Sequence, residues 1–145
     1  MADLAGVIKS IESGGNPHAL RFEPDAYANW NWVPAMDRIK AKHACSEKTA
    51  RMIGCTSWGL YQIMGINIFD PRLPAIDPVD VIDFVNDVGL QEAAFTAFLN
   101  LRGINFALDD LLADQDKLRI FAITYNGSRD PDAYAALIRQ HAALA

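Results

Sequence analysis

The chain has 145 residues, 51% of them hydrophobic and 21% charged, with a net charge of −5 at neutral pH. That is enough apolar material for one sizeable core, and no polar or Pro/Gly/Ser-rich tract divides it, so one domain over residues 1–145 is expected. The acidic balance excludes an extended nucleic-acid footprint, which needs a basic face, and no apolar run is long enough to span a bilayer.

Leu4, Val7, Ile8 and Ile11 recur at i, i+3, i+4 and i+7 and predict an amphipathic helix with Asp3 as its cap and Gly14-Gly15 as its stop. Glu12 falls in the last turn of that helix. The negative end of the helix dipole and burial beside Ile11 both disfavour its ionised form, and a raised pKa suits a general acid. Ser13 follows, in a place where serines cap or turn a chain. His18 to Phe22 reads as a short strand in a small hairpin, and the rest of the stretch to Val33 has no clear period. Cys45 and Cys55 admit two readings. A disulfide would constrain the unfolded chain by about 3 kcal/mol, and the alternative is a pair of buried thiols. His43 with those cysteines lacks paired Cys-x-x-Cys spacing, so neither a metal nor any other cofactor is expected.

Further along, Pro71, Pro74 and Pro78 enforce an extended connection, with Asp77 or Asp80 as the cap of the helix beyond it. Leu90, Ala93, Ala94, Ala97, Phe98 and Leu101 lie on one helical face that Gly103 ends, and this is the expected central helix. Leu118, Phe121, Ala122 and Tyr125 predict another helix, which carries Tyr125 and Asn126 to its C-terminal end ahead of Gly127. Tyr134, Leu137 and Ile138 predict a last helix packed over the outside.

Three segments now stand in order: Glu12-Ser13, Ser-Trp-Gly-Leu-Tyr-Gln-Ile-Met at 57–64, and Ile-Thr-Tyr-Asn-Gly at 123–127. Together they resemble the lysozyme-like superfamily of lytic transglycosylases and phage endolysin muramidases, over residues 8–127. The resemblance implies a mainly α, α+β fold, a helical bundle around a central helix with at most a small β-hairpin. It implies a site of Glu12, Ser13, Gly59, Leu60, Gln62, Met64, Tyr125 and Asn126, with the segment from Gly59 to Met64 as a helix lining a sugar cleft. The chain departs from the transglycosylase pattern in three places. The stretch from Glu12 to Gly59 is longer, Gly65 stands where proline is common, and Thr-Tyr-Asn-Gly-Ser replaces Ala-Tyr-Asn-Ala-Gly. Phe22-Glu23 and Ser57–Met64 fit the layout of the phage-type muramidases better.

The implied reaction is cleavage of the β-1,4 bond between N-acetylmuramic acid and N-acetylglucosamine in peptidoglycan, with Glu12 as general acid. Glu23 and Asp25 are the nearest candidates for a second carboxylate, Asp37 is farther off, and Glu23 has a structural alternative as the partner of Arg21. Without a second carboxylate, the resemblance implies attack by the sugar's own 6-hydroxyl, which leaves a 1,6-anhydro end. Gln62 would offer its amide to sugar hydroxyls, Tyr125 would bond Glu12 or an N-acetyl group, and Ser57 would either bind substrate or turn or cap the chain. Among Tyr27, Trp30, Trp32, Trp58 and Tyr61, Tyr61 is the expected sugar platform. The expected partner is the glycan strand, met by a monomer. Residues 1–9 lack the basic start and apolar core of a secretory signal, so access to the wall would come through a holin lesion or secretion machinery. The alternative function is a non-catalytic wall-binding or virion module, which would be indifferent to Glu12→Gln.

Overall fold

The computed structural model describes residues 3–74, 76–127 and 129–144 and begins with the helix that the apolar spacing predicts. In α1, Leu4–Ser13, the Asp3 carboxylate accepts the Gly6 N–H at 2.6 Å, and Val7 and Ile8 are buried. Gly14 ends α1 at φ 62°, its N–H bonded to the Lys9 carbonyl, in a left-handed conformation that glycine adopts without strain.

Three short strands, β1 Leu20–Phe22, β2 Thr56–Trp58 and β3 Ile63–Met64, form an antiparallel sheet in that order. Leu20 pairs with Trp58 and Phe22 with Thr56, while Ser57 lies opposite Met64. The small β part is thus a hairpin, β2–β3, with β1 added along its edge. Between β1 and β2 run α2 Pro24–Asn29, α3 Pro34–His43 and α4 Glu47–Gly54. Proline opens both α2 and α3, where its missing N–H would have had no helical partner. Arg51 of α4 donates to the carbonyls of Tyr27 and Trp30 and so ties the end of α2 in place. Cys45 and Cys55 are free thiols, so no disulfide joins them, and of the two only Cys55 is fully buried while Cys45 is partly exposed. His43 is spent on structure, its Nδ1 donating to the Ile39 carbonyl at 2.7 Å and its Nε2 accepting the Val81 N–H at 3.0 Å.

The segment from Ser57 to Met64 corrects the expectation of a helix. It is strand, turn and strand, because Gly59 at φ 75° and Gln62 at φ 48° both hold left-handed backbone that a right-handed helix cannot contain. A Cβ on Gly59 would lie 2.4 Å from Oε1 of Gln91, the same oxygen that accepts the Leu60 N–H at 2.7 Å. Immediately after comes α5, Gly65–Ile68. A Cβ on Gly65 would meet the Ile53 carbonyl at 2.4 Å, so α5 packs on bare backbone and has no room for the proline of the transglycosylase pattern.

No helix or strand occupies the described residues between Pro71 and Pro78. Of the two cap candidates it is Asp80 that caps α6, Val81–Asn86, accepting the Asp83 N–H at 2.8 Å. Asp77 instead pairs with Arg38 at 2.6 Å and Lys42 at 2.8 Å on α3. The long α7, Val88–Leu101, buries Gln91, Ala94, Phe95 and Phe98, a face rotated one residue from the predicted one. The rotation follows from Gln91, whose Nε2 donates to the carbonyls of Pro17, Phe84 and Val85, so a polar residue with all its bonds made sits in the core.

The chain finishes with α8 Leu108–Ala113, α9 Gln115–Asn126 and α10 Pro131–Leu144. Buried apolar residues from α1 to α10 join in one cluster. The last helix does more than cover the outside, for Tyr134, Ala135 and Ile138 are buried in that cluster. The architecture is mainly α and lysozyme-like, as expected. None of the described helices is long and apolar enough to cross a membrane.

Candidate active site

The end of α1, the sheet and the end of α9 surround a cavity of about 590 Å³, lined among others by Glu12, Arg21, Glu23, Ser57, Gln62 and Asn126. Glu12 reaches it because Gly14 stops α1 at once, and because Ser13 fixes that helix end by bonding the Leu60 carbonyl at 2.8 Å. Ser13 thus seats the helix that carries Glu12 and is not among the residues lining the cavity.

The phenol of Tyr134 donates to Oε1 of Glu12 at 2.5 Å. Burial pushes the Glu12 carboxyl above its ordinary value of 4.5, the Tyr134 bond and the Arg21 charge pull it back, and the negative charge of Glu23 pushes it up again. The upward direction is the one expected for a general acid, with burial as the leading cause. Burial and the Glu12 charge raise the Tyr134 phenol far above its ordinary value, so it remains a proton donor to Glu12. Tyr134 was read from the sequence only as packing; its place on an apolar helical stripe carries no sign that its hydroxyl meets a carboxylate.

Glu23 shares the cavity, and its Oε1 accepts from Arg21 Nε at 2.7 Å and from Ser57 Oγ at 3.3 Å. The two readings of Glu23, site carboxylate and partner of Arg21, therefore coincide in one residue. Ser57 holds Glu23 from the neighbouring strand. Asp25 also lines the cavity and pairs with Arg129 at 3.0 Å, both largely exposed. Asp37 is elsewhere, accepting the indole N–H of Trp32 at 2.9 Å.

Gln62 lines the cavity from the turn, not from a helix, and its amide nitrogen donates to the carbonyls of Ala19 and Gly59. Among the described residues its amide oxygen has no hydrogen-bond partner. Gly59 shapes the turn behind the cavity, while Met64 and Asn126 line it. Two tyrosines are corrected. Tyr61, the expected sugar platform, is 2% exposed and stacks on Phe95 at 4.2 Å between ring centroids, which makes it core. Tyr125 does not bond Glu12; its hydroxyl donates to the Tyr61 carbonyl at 2.7 Å, although its side chain borders the cavity. Trp30 lines the cavity and is exposed. Among the described residues there is no group of three or more His, Cys, Asp or Glu placed to hold a metal ion.

No solved structure matches the chain. A family model described as N-acetylmuramidase matches residues 25–144 and so begins beyond Glu12 and Glu23. The endolysin of Enterobacteria phage PRD1 is 37% identical over 144 residues, covering 94% of this chain and 92% of that protein. By both comparisons the chain belongs to the N-acetylmuramidase family of peptidoglycan-degrading enzymes.

Proposed function

We propose that the cavity cleaves the β-1,4 bond between N-acetylmuramic acid and N-acetylglucosamine, with Glu12 as general acid. The observation that carries this reading is the environment of Glu12, a carboxyl with a raised pKa on the wall of a sugar-sized cavity that also holds a second carboxylate, Glu23. Protonated Glu12 gives its proton to the glycosidic oxygen, and the bond from that oxygen to the anomeric carbon breaks. Glu23 supplies negative charge to the carbon as it becomes cationic. Water adds there and passes its proton to a carboxylate of the pair, so the product carries a reducing end. Gln62 and Asn126 bind sugar hydroxyls, and Trp30 offers a ring face to the strand. The enzyme meets its substrate on the wall, after release through a membrane lesion or secretion machinery.

One observation favours a second route. Glu23 is already bonded by Arg21 and Ser57, which suits a structural carboxylate and leaves the sugar's 6-hydroxyl as the attacking group. Mass spectrometry of muropeptides released from purified peptidoglycan separates the two. Reducing ends are expected. Products lighter by one water would make the enzyme a transglycosylase and Glu23 a structural residue. Glu12→Gln is expected to lower the rate by about 10²-fold or more, and undiminished release would remove Glu12 from the mechanism. Binding without release by the wild type would mean a non-catalytic module.

A further inference from the structure

The cavity around Glu12 continues past Asn126. A second hollow of about 390 Å³ shares Trp30, Gln62, Met64, Tyr125 and Asn126 with it. A third, of about 500 Å³, shares Trp30, Asn67 and Arg102 with the second. The three make one groove that runs from the acid, past Trp30, to Arg102.

The chemistry changes at the far end. Asp70 is 7% exposed and fully engaged by Arg72, whose guanidinium donates to both its oxygens at 2.7–3.2 Å. That pair cancels itself. Arg102 lies over the Phe98 ring at 5.2 Å from its centroid, and among the described residues its guanidinium makes neither a hydrogen bond nor an ion pair. Its charge also helps hold the Asp70 carboxyl below the usual carboxylate range, after the stronger effect of Arg72. One carboxylate and two guanidiniums leave this end of the groove with a net positive charge, in a chain whose total is −5.

Peptidoglycan offers a matching group. Its sugar rings carry hydroxyls and acetamides, but N-acetylmuramic acid also carries a lactyl arm that ends either in a free carboxylate or in a peptide bearing carboxylates. A planar guanidinium held over an aromatic ring with its donors uncommitted is suited to a carboxylate and gains little from a hydroxyl. Resting on the muramidase reading above, we infer that Arg102 binds a carboxylate of the lactyl arm or of its peptide. The groove then recognises muramyl glycan and discriminates against chitin, which has the same β-1,4 linkage and no carboxylate.

Binding is measured by titration calorimetry with three soluble probes: peptide-bearing glycan fragments, the same fragments stripped by an amidase to the free lactyl acid, and chitohexaose. The protein carries Glu12→Gln so that the probes persist. Adding Arg102→Gln is expected to weaken about tenfold the muramyl fragments that present the bound carboxylate, the size of one charge-assisted bond at a partly wet site, and to leave chitohexaose unchanged. Arg102→Lys restores part of the loss. If only the stripped fragments lose affinity, the ligand is the free lactyl acid; if only the peptide-bearing ones do, it is a peptide carboxylate; loss on both means that Arg102 takes either carboxylate. Equal loss on all three probes, or loss on none, overturns the inference. Failure of the wild-type enzyme to cleave the peptide-bearing fragments would instead sink the muramidase reading, with the binding ratios still readable.

Discussion

Glu12 is held between opposing influences, and the balance sets its use. Burial disfavours its anion, while the Tyr134 phenol and the Arg21 charge favour it. Tyr134→Phe keeps the ring and removes the donor to the ionised carboxylate, so the pKa of Glu12 should rise further. A general acid is lost when it deprotonates, and the alkaline limb of kcat/KM should therefore move to higher pH. A pH–rate profile checks this, and a limb that stays put would separate Tyr134 from the acid. The sequence marks Glu12 by its position ahead of Ser13 and Gly14, a local signal. It does not mark Tyr134. Tyr125 and Tyr134 both lie on apolar helical faces, and which hydroxyl reaches Glu12 depends on how α9 and α10 sit against α1.

At the scale of elements, the β2–β3 turn depends on a side chain from another element. Gln91 of α7 accepts the Leu60 N–H and donates to three carbonyls, on Pro17, Phe84 and Val85. Gln91→Leu keeps the volume but leaves those buried groups unpaired, and should cost about 3 kcal/mol or more. Urea unfolding measures the loss. Activity should fall with it, because Ser57 and Gln62 are set by the same turn; a cost below about 1 kcal/mol would mean that water replaces the lost bonds. Helices α1, α7 and α9 were legible because a 3.6-residue apolar period is a property of adjacent residues. The turn was not. Gly-Leu-Tyr-Gln-Ile-Met has no local feature that forbids a helix, and its left-handed residues are held by the Ala19 carbonyl, which accepts from the Gly59 N–H and the Gln62 amide, and by Gln91, both distant in sequence.

For the molecule as a whole, the acid is a source of instability. The folded carboxyl of Glu12 has a pKa above 4.5, near its value in the unfolded chain. Between the two values the folded state binds more protons than the unfolded one, so stability falls as pH rises through that window and stays reduced above it. Glu12→Gln has no charge to bury. Calorimetry should show it melting above the wild type at pH 7 and level with it well below pH 4.5, where both side chains are neutral. A difference that is the same at every pH would point to packing instead of charge. By itself the sequence determined the mainly helical class, the stops and caps at Asp3, Gly14 and Gly103, and the carboxylate at the end of the first helix, since each depends on residues within a turn or two. The three-stranded sheet, the partner of Glu12, the burial of Tyr61 and the groove leading to Arg102 were decided only by the tertiary structure, because each joins side chains from elements far apart in the chain.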